Sequence, residues 1–227
     1  MERLQRAVNA ATGRRIDVIG EGWNFGEVEN GKRFVQAAQK SLNGSGIGSF
    51  SDRARDAARG SSWGSAEDNA RNKGWLHGEG TAAQADLLRV GLAGTLENFQ
   101  MTDRSGNRVP LSRIDYNGQP AGYASQPGEV VNYVENHDNQ TLFDNNAIKL
   151  PLDTTREDRA RVQHLGAALV AFSQGIAYFH AGQEILRSKS LDRNSYDSGD
   201  WFNRLDWTLQ DNGFGAGLPP ERDNKDH

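Results

Sequence analysis

Gly20-Glu21-Gly22-Trp23-Asn24-Phe25-Gly26-Glu27-Val28 is the stretch on which the reading of this chain turns. The run Ile16-Asp17-Val18-Ile19 feeds directly into a carboxylate flanked by two glycines and followed by a tryptophan. A buried strand delivers an acid to the mouth of a barrel in this way, and the glycines let a ligand approach the backbone. Further along, Val130-Val131-Asn132-Tyr133-Val134 reads as another strand and ends in Glu135-Asn136-His137-Asp138-Asn139-Gln140. Two strand ends, each joining a carboxylate to an aromatic or imidazole ring, point to carbohydrate chemistry. Glycoside hydrolysis needs one carboxyl group that is protonated at working pH and others that are ionised.

Outward from these ends, strands alternate with helices. Leu4, Ala7, Val8 and Ala11 recur at helical spacing, and Gly13 is placed to stop that helix. Strands are predicted over 16–20, 47–51, 130–134 and 176–180, the second weakened by Gly48. Helices are predicted over 34–42, over 82–99 with Leu87, Leu88, Leu92 and Leu96 on one side, and over 155–172 with Val162, Leu165, Leu169 and Phe172 facing inward. Residues 51–73 are polar and Gly/Ser-rich and read as a surface excursion; 101–128 read as a second one, and the chain is loop again from 181. Alternation without hairpin signals predicts parallel β/α units and an α/β fold class. The functional-looking residues all lie just past strand C-termini, which matches the (β/α)-barrel rule. Four such units make half of an eight-stranded barrel and leave two open sheet edges, so a partial TIM barrel within a longer protein is expected.

Composition narrows the class. The chain has 227 residues, 36% hydrophobic and 25% charged, with 26 glycines and five tryptophans, which implies many loops and aromatic platforms. A net charge of -4 gives no basic footprint, so no nucleic-acid partner is expected. No apolar run approaches the roughly 20 residues of a membrane span, and residues 1–6 carry no apolar signal segment. The absence of cysteine excludes disulfides and a thiol nucleophile and leaves the compartment open. His77, His164, His180 and His227 sit on unrelated segments at no ligand spacing from His137, so no metal site is expected. The run Gly44-Ser45-Gly46-Ile47-Gly48 lacks the lysine of a phosphate loop and reads as a turn. Ser49, Ser61 and Ser62 have no partnered His-Asp order. For the singled-out residues the plain alternatives are a salt-bridge role for Glu21, a structural pair for His137 and Asp138, and core packing for Trp23.

The motifs carry a family resemblance over nearly the whole chain. Gly20-Glu21-Gly22-Trp23, Gly46-Ile47-Gly48-Ser49-Phe50-Ser51-Asp52-Arg53, Tyr133-Val134-Glu135-Asn136-His137-Asp138-Asn139-Gln140-Thr141-Leu142, Leu186-Arg187-Ser188-Lys189-Ser190 and Ser195-Tyr196-Asp197-Ser198-Gly199-Asp200-Trp201-Phe202-Asn203 occur in order. Together they resemble the pullulanase and limit-dextrinase branch of the α-amylase superfamily, glycoside hydrolase family 13. The resemblance implies strands five to eight of a (β/α)8 barrel, residues 1–227 forming its C-terminal half, without the N-terminal half or a C-terminal β-domain. It implies retaining hydrolysis of α-1,6-glucosidic bonds in pullulan, amylopectin and limit dextrins, with no cofactor required and calcium possible at family level. It implies Glu21 as general acid/base, Asp138 as the third carboxylate, His137 on the sugar in the cleavage subsite and Trp23 stacked on the leaving-group glucose. Asn139 and Asn194 fall in its substrate-binding loops. Asn24 and Asn194 stand where relatives carry aspartate. The family's nucleophile aspartate and its Asn-His pair are not in this sequence, so the chain alone is expected to be inactive. The alternatives are a catalytically dead α-glucan-binding remnant and an α-1,4-acting amylase or transglycosidase; the Arg187-Ser188-Lys189-Ser190 loop argues against the latter.

Overall fold

Val130 and Val131 are fully buried, and the strand they build lies at the heart of the fold. The computed structural model describes residues 2–226. Its strands are β1 (Ile19–Gly20), β2 (Gly48–Phe50), β3 (Gln100–Thr102), β4 (Arg108–Pro110), β5 (Asp115–Tyr116), β6 (Gln119–Pro120), β7 (Val130–Asn132) and β8 (Ile176–Ala177). Its helices are α1 (Glu2–Thr12), α2 (Gln39–Leu42), α3 (Asp52–Arg59), α4 (Ala66–Arg71), α5 (Ala82–Leu92), α6 (Leu142–Lys149), α7 (Arg156–Phe172), α8 (Asp200–Asn203) and α9 (Glu221–Asn224). The four predicted strands all form, shorter than expected, and pair in parallel in the order β1-β2-β7-β8. The register sets Ile19 opposite Gly48, Phe50 opposite Val131, and Val131 opposite Ile176. The sheet does not close, and β1 and β8 are its edges.

The two sheet faces differ. On one, a Cβ at Gly48 would lie 3.0 Å from Ile176 Cδ1 and 3.2 Å from Ile19 Cγ2. Ile176 reaches there from two strands away, so this face is concave, and Gly48 is the residue that makes room. The same face carries Phe50, Tyr133 and Tyr178 in edge-to-face contact, with Phe50 5.0 Å from Tyr133 and 5.1 Å from Tyr178. The helix-covered side packs Val134 against Ala57, Ala58, Leu76, Leu88, Leu142 and Val170. Among the described residues no helix is long and apolar enough to cross a membrane.

Both surface excursions are corrected. Residues 51–73 contain α3 and α4, and α3 is a core helix whose inward positions are Arg53, Ala57, Ala58 and Arg59. Alanines and arginine stems supply little hydropathy, so the helical period is masked by charge. Residues 101–128 contain the antiparallel hairpins β3–β4 and β5–β6. They wrap a second core of Met101, Leu111, Ile114, Tyr116 and Ala121 on Val90. Asn117-Gly118, with φ of 51 and 79, turns the second hairpin, and that dipeptide is the hairpin signal present in the sequence.

Helix boundaries moved as well. The predicted helix over 34–42 shrinks to α2, leaving Phe34 and Val35 exposed. The helix over 82–99 ends at Leu92, because Gly94 and Thr95 take positive φ. α6 was not predicted; Thr141 caps it by accepting from Asp144 N. α7 begins as expected after Thr155, which accepts from Asp158 N. Its buried face is Gln163, Gly166 and Val170, however, while Leu165 and Phe172 are exposed.

Gln163 is inward because it continues a buried polar chain. His77 Nδ1 accepts from Gly74 N at 3.0 Å, so Nε2 carries the proton and donates to Asn146 Oδ1 at 3.1 Å. Gln163 follows, and its amide donates to Gln183 O at 3.0 Å. Burial drives the His77 imidazole down to about 4, with Lys149 pushing the same way against the Asn146 bond. The unfolded chain takes up this proton near the ordinary value of about 6.5, so the contribution is whole above that pH and drains as pH falls toward 4. The expected loss is about 2 kcal/mol, read from urea midpoints at pH 7 and pH 4.5. His77→Gln should flatten that dependence; an unaltered pH profile in the variant would remove His77 as its source.

Candidate active site

Glu21 leaves the C-terminal end of β1 into a turn that only glycine closes. Gly22 has φ +71, and a Cβ there would sit 2.9 Å from Ser49 Cβ. Gln39 ties this turn to the end of β2: its N–H donates to Gly22 O at 2.9 Å and its side-chain amide to Phe50 O at 2.7 Å. Trp23, half-buried, packs against the Phe50–Tyr133–Tyr178 cluster and also lines an open cleft of about 1050 Å³.

The other carboxylate rides on the segment after β7, which buried charged side chains hold from beneath. Arg59 donates to Val134 O at 3.1 Å and to Gln140 O at 2.6 Å. Lys189 Nζ donates to His137 O at 3.1 Å. Glu135 accepts from Leu142 N at 2.5 Å and from His180 Nδ1 at 3.1 Å, while Arg187 donates to His180 Nε2 at 3.3 Å. Burial lowers the Arg59 guanidinium, with Arg55 adding to the effect, and pushes Lys189 down to about 8. With its backbone anchored in this way, the segment presents His137, Asp138 and Asn139 outward. Asn139 takes φ 59, a left-handed conformation that asparagine tolerates.

The two strand ends converge. His137 Nε2 lies 3.8 Å from Glu21 Oε1, with both side chains substantially exposed. Asp138, next in the chain, lines the cleft together with Trp23 and Asn139. Glu21 and His137 do not belong to the cleft wall itself; they stand beside it. An ion pair this exposed contributes little stability, so the contact is informative as placement.

Relatives show the same arrangement of sequence and fold. No protein-family profile matches the chain. The chloroplastic pullulanase 1 of Arabidopsis thaliana is 44% identical over 98% of this chain and 25% of its own length. The pullulanase of Klebsiella aerogenes is 45% identical over 92% of this chain and 20% of its own length. The crystal structure of PulA from Klebsiella oxytoca superposes with a TM-score of 0.90 at 42% identity, covering 98% of this chain and 22% of that one. The chain belongs to the pullulanase family. It spans about a quarter or less of the length of the relatives it matches.

Several family features take a physical meaning here. Asn24, where the family resemblance implies aspartate, accepts from Asn30 N at 2.8 Å and donates its amide to Asn30 Oδ1 at 2.9 Å. A carboxylate could not make that donation. The Arg187-Ser188-Lys189-Ser190 loop is a buttress: Ser188, Lys189 and Ser190 are buried. Asp144 accepts from Ser188 Oγ at 2.5 Å and from Lys189 N at 2.8 Å; burial pushes its carboxyl up, and these bonds oppose the rise. Asn194 is not brought to the cleft wall. It opens the turn Ser195–Asp197, and its N–H donates to Asp192 Oδ1 at 2.8 Å. Its neighbour Arg193 stacks 5.4 Å over Trp63, which does line the cleft.

Sequence reasoning missed one wall of the cleft: Asp52, Arg55 and Asp56 of α3, with Trp63, Tyr116 and Tyr133. The first three stand at i, i+3 and i+4, a helical face that was legible once 51–73 is read as helix. Among the described residues no group of three or more His, Asp or Glu is placed to hold a metal ion.

Proposed function

We propose that this chain supplies half of the (β/α)8 catalytic barrel of a retaining α-1,6-glucosidase that debranches pullulan, amylopectin and limit dextrins. The observation that carries the reading is the 3.8 Å approach of His137 to Glu21 beside a cleft shared by Trp23 and Asp138. The open edges β1 and β8 and the concave aromatic face support a sheet completed by further strands. The Klebsiella pneumoniae pullulanase, solved with maltotriose, is 43% identical over 96% of this chain, which supports an α-glucan ligand.

In this reading Glu21 protonates the glycosidic oxygen and then deprotonates the attacking water. Glu21 is half-exposed here; enclosure by the remaining strands would supply the desolvation that a proton donor uses. Asp138 stabilises charge on the glucosyl unit, His137 hydrogen-bonds it, and Trp23 offers its ring to the leaving-group sugar. Asn139 contacts substrate in the cleft, and Asn194 shapes the loop whose Arg193 stacks over Trp63. The aspartate nucleophile comes from the completing strands, and the chemistry needs no cofactor.

The purified chain is therefore expected to release no reducing ends from pullulan, and to do so once combined with the nucleophile-bearing part of a pullulanase barrel. Turnover by the 227-residue chain alone would contradict the half-barrel assignment. Exposed Phe25 and Trp63 in the cleft favour a second reading, glucan binding without turnover. Retention on an amylopectin affinity gel, together with no activity in the combined enzyme, would select it.

A further inference from the structure

Within the cleft lies a hydrogen-bonding unit that the hydrolytic roles above leave unused. Tyr133 follows β7, and its ring is fixed by edge contacts with Phe50 at 5.0 Å and Tyr178 at 6.4 Å. The residue is only 3% exposed. Arg55 Nη1 donates to the Tyr133 hydroxyl, and the guanidinium lies 5.4 Å over the ring. Arg55 is itself oriented by Asp56, whose Oδ1 accepts from Nε at 2.7 Å and whose Oδ2 accepts from the Tyr116 hydroxyl at 2.5 Å. A phenol oxygen that accepts from a guanidinium keeps its own proton to donate. Among the described residues, neither that proton nor Arg55 Nη2 finds an acceptor.

The charge balance of the surroundings says what kind of acceptor fits. Burial raises the Tyr133 phenol well above its ordinary value, Arg55 opposing and Asp138 reinforcing the shift, so it remains a neutral donor. The cleft wall holds six aspartates against four arginines, which disfavours a phosphate or carboxylate ligand. A neutral polyol suits such a wall, because its hydroxyls can donate to the carboxylates while accepting from Tyr133 and Arg55.

We propose that Tyr133 and Arg55 form a paired donor that grips one hydroxyl-bearing glucosyl unit of an α-glucan in the cleft, making this pair a specificity determinant beside Asp138. The proposal rests on the glucan reading above and extends it to residues outside the hydrolytic set. Asp56 and Tyr116 are positioning residues for the pair, acting through Arg55.

The test is titration of the full chain with maltotriose by calorimetry, for the wild type, Tyr133→Phe and Arg55→Lys. The phenylalanine keeps the ring contacts and removes only the hydroxyl; the lysine keeps the charge and loses the planar fork. Each variant is expected to bind about 3- to 10-fold more weakly, the value of one hydrogen bond. Monodeoxy maltotrioses give a readout that a merely structural role would not move. The analogue lacking the gripped hydroxyl should bind wild type and Tyr133→Phe equally. Unchanged affinity in Tyr133→Phe, with unaltered circular dichroism, overturns the pairing and leaves the glucan reading standing. Should that variant not fold, unchanged affinity in Arg55→Lys does the same. A wild-type chain that does not bind maltotriose overturns both.

Discussion

Glu21→Gln is expected to slow pullulan hydrolysis by about a hundred- to ten-thousand-fold when the chain is assembled with the rest of a pullulanase barrel. The amide keeps the size of the side chain and its place 3.8 Å from His137 Nε2, so substrate affinity should change little. It has no proton to give to the glycosidic oxygen. The loss should therefore fall on kcat, and an activated substrate such as a glucosyl fluoride, which needs no protonation to leave, should recover part of the rate. Equal loss on both kinds of substrate would point to a structural effect and remove Glu21 from the acid role. Activity within about tenfold of wild type on pullulan would do so more directly.

Lys149→Met is expected to destabilise the chain by about 3 kcal/mol, more than any surface substitution would. Lys149 is almost fully buried and donates to three backbone carbonyls, Arg59 O at 3.0 Å, Ser61 O at 2.7 Å and Asn72 O at 2.9 Å. Burial, reinforced by Arg59, pushes its ammonium down to about 7. Three simultaneous acceptors require three N–H donors, which only the charged form has. Methionine fills the same space and leaves those carbonyls without a donor, so the segment from Arg59 to Asn72 comes away from α6. With a urea slope of about 2 to 3 kcal/mol/M, the midpoint should fall by about 1 M. A midpoint within error of wild type would show that water replaces the ammonium without cost.

Lys149, Arg59 and Lys189 share a pattern that composition does not reveal. Each is a cation buried against backbone carbonyls, and each fixes a loop that borders the cleft or carries His137. Carbonyls are present at every residue, so such a partnership leaves no mark in the order of side chains. The excursion over 51–73 was misread for the same reason: α3 buries Arg53 and Arg59, which a hydropathy pattern places outside. The hairpin at Asn117-Gly118 was different, since its turn signal was present and was outweighed by the alternation of strands and helices.

By itself the sequence settled the parallel β/α order, the strand ends that carry Glu21 and His137-Asp138, and the start of α7 at Thr155. These depend on neighbours close in the chain: a β-branched run, a glycine that alone adopts a left-handed turn, a hydroxyl three residues before the N–H it accepts. Only the tertiary structure decided that Arg55, Asp56, Tyr116 and Tyr133 meet in one cleft with Trp23 and Asp138. It also decided that the family's Arg187-Ser188-Lys189-Ser190 loop holds the His137 backbone from below. Those contacts join segments far apart in the chain, and their strength comes from burial, which excludes water from a charge or hydroxyl only after the packing has formed.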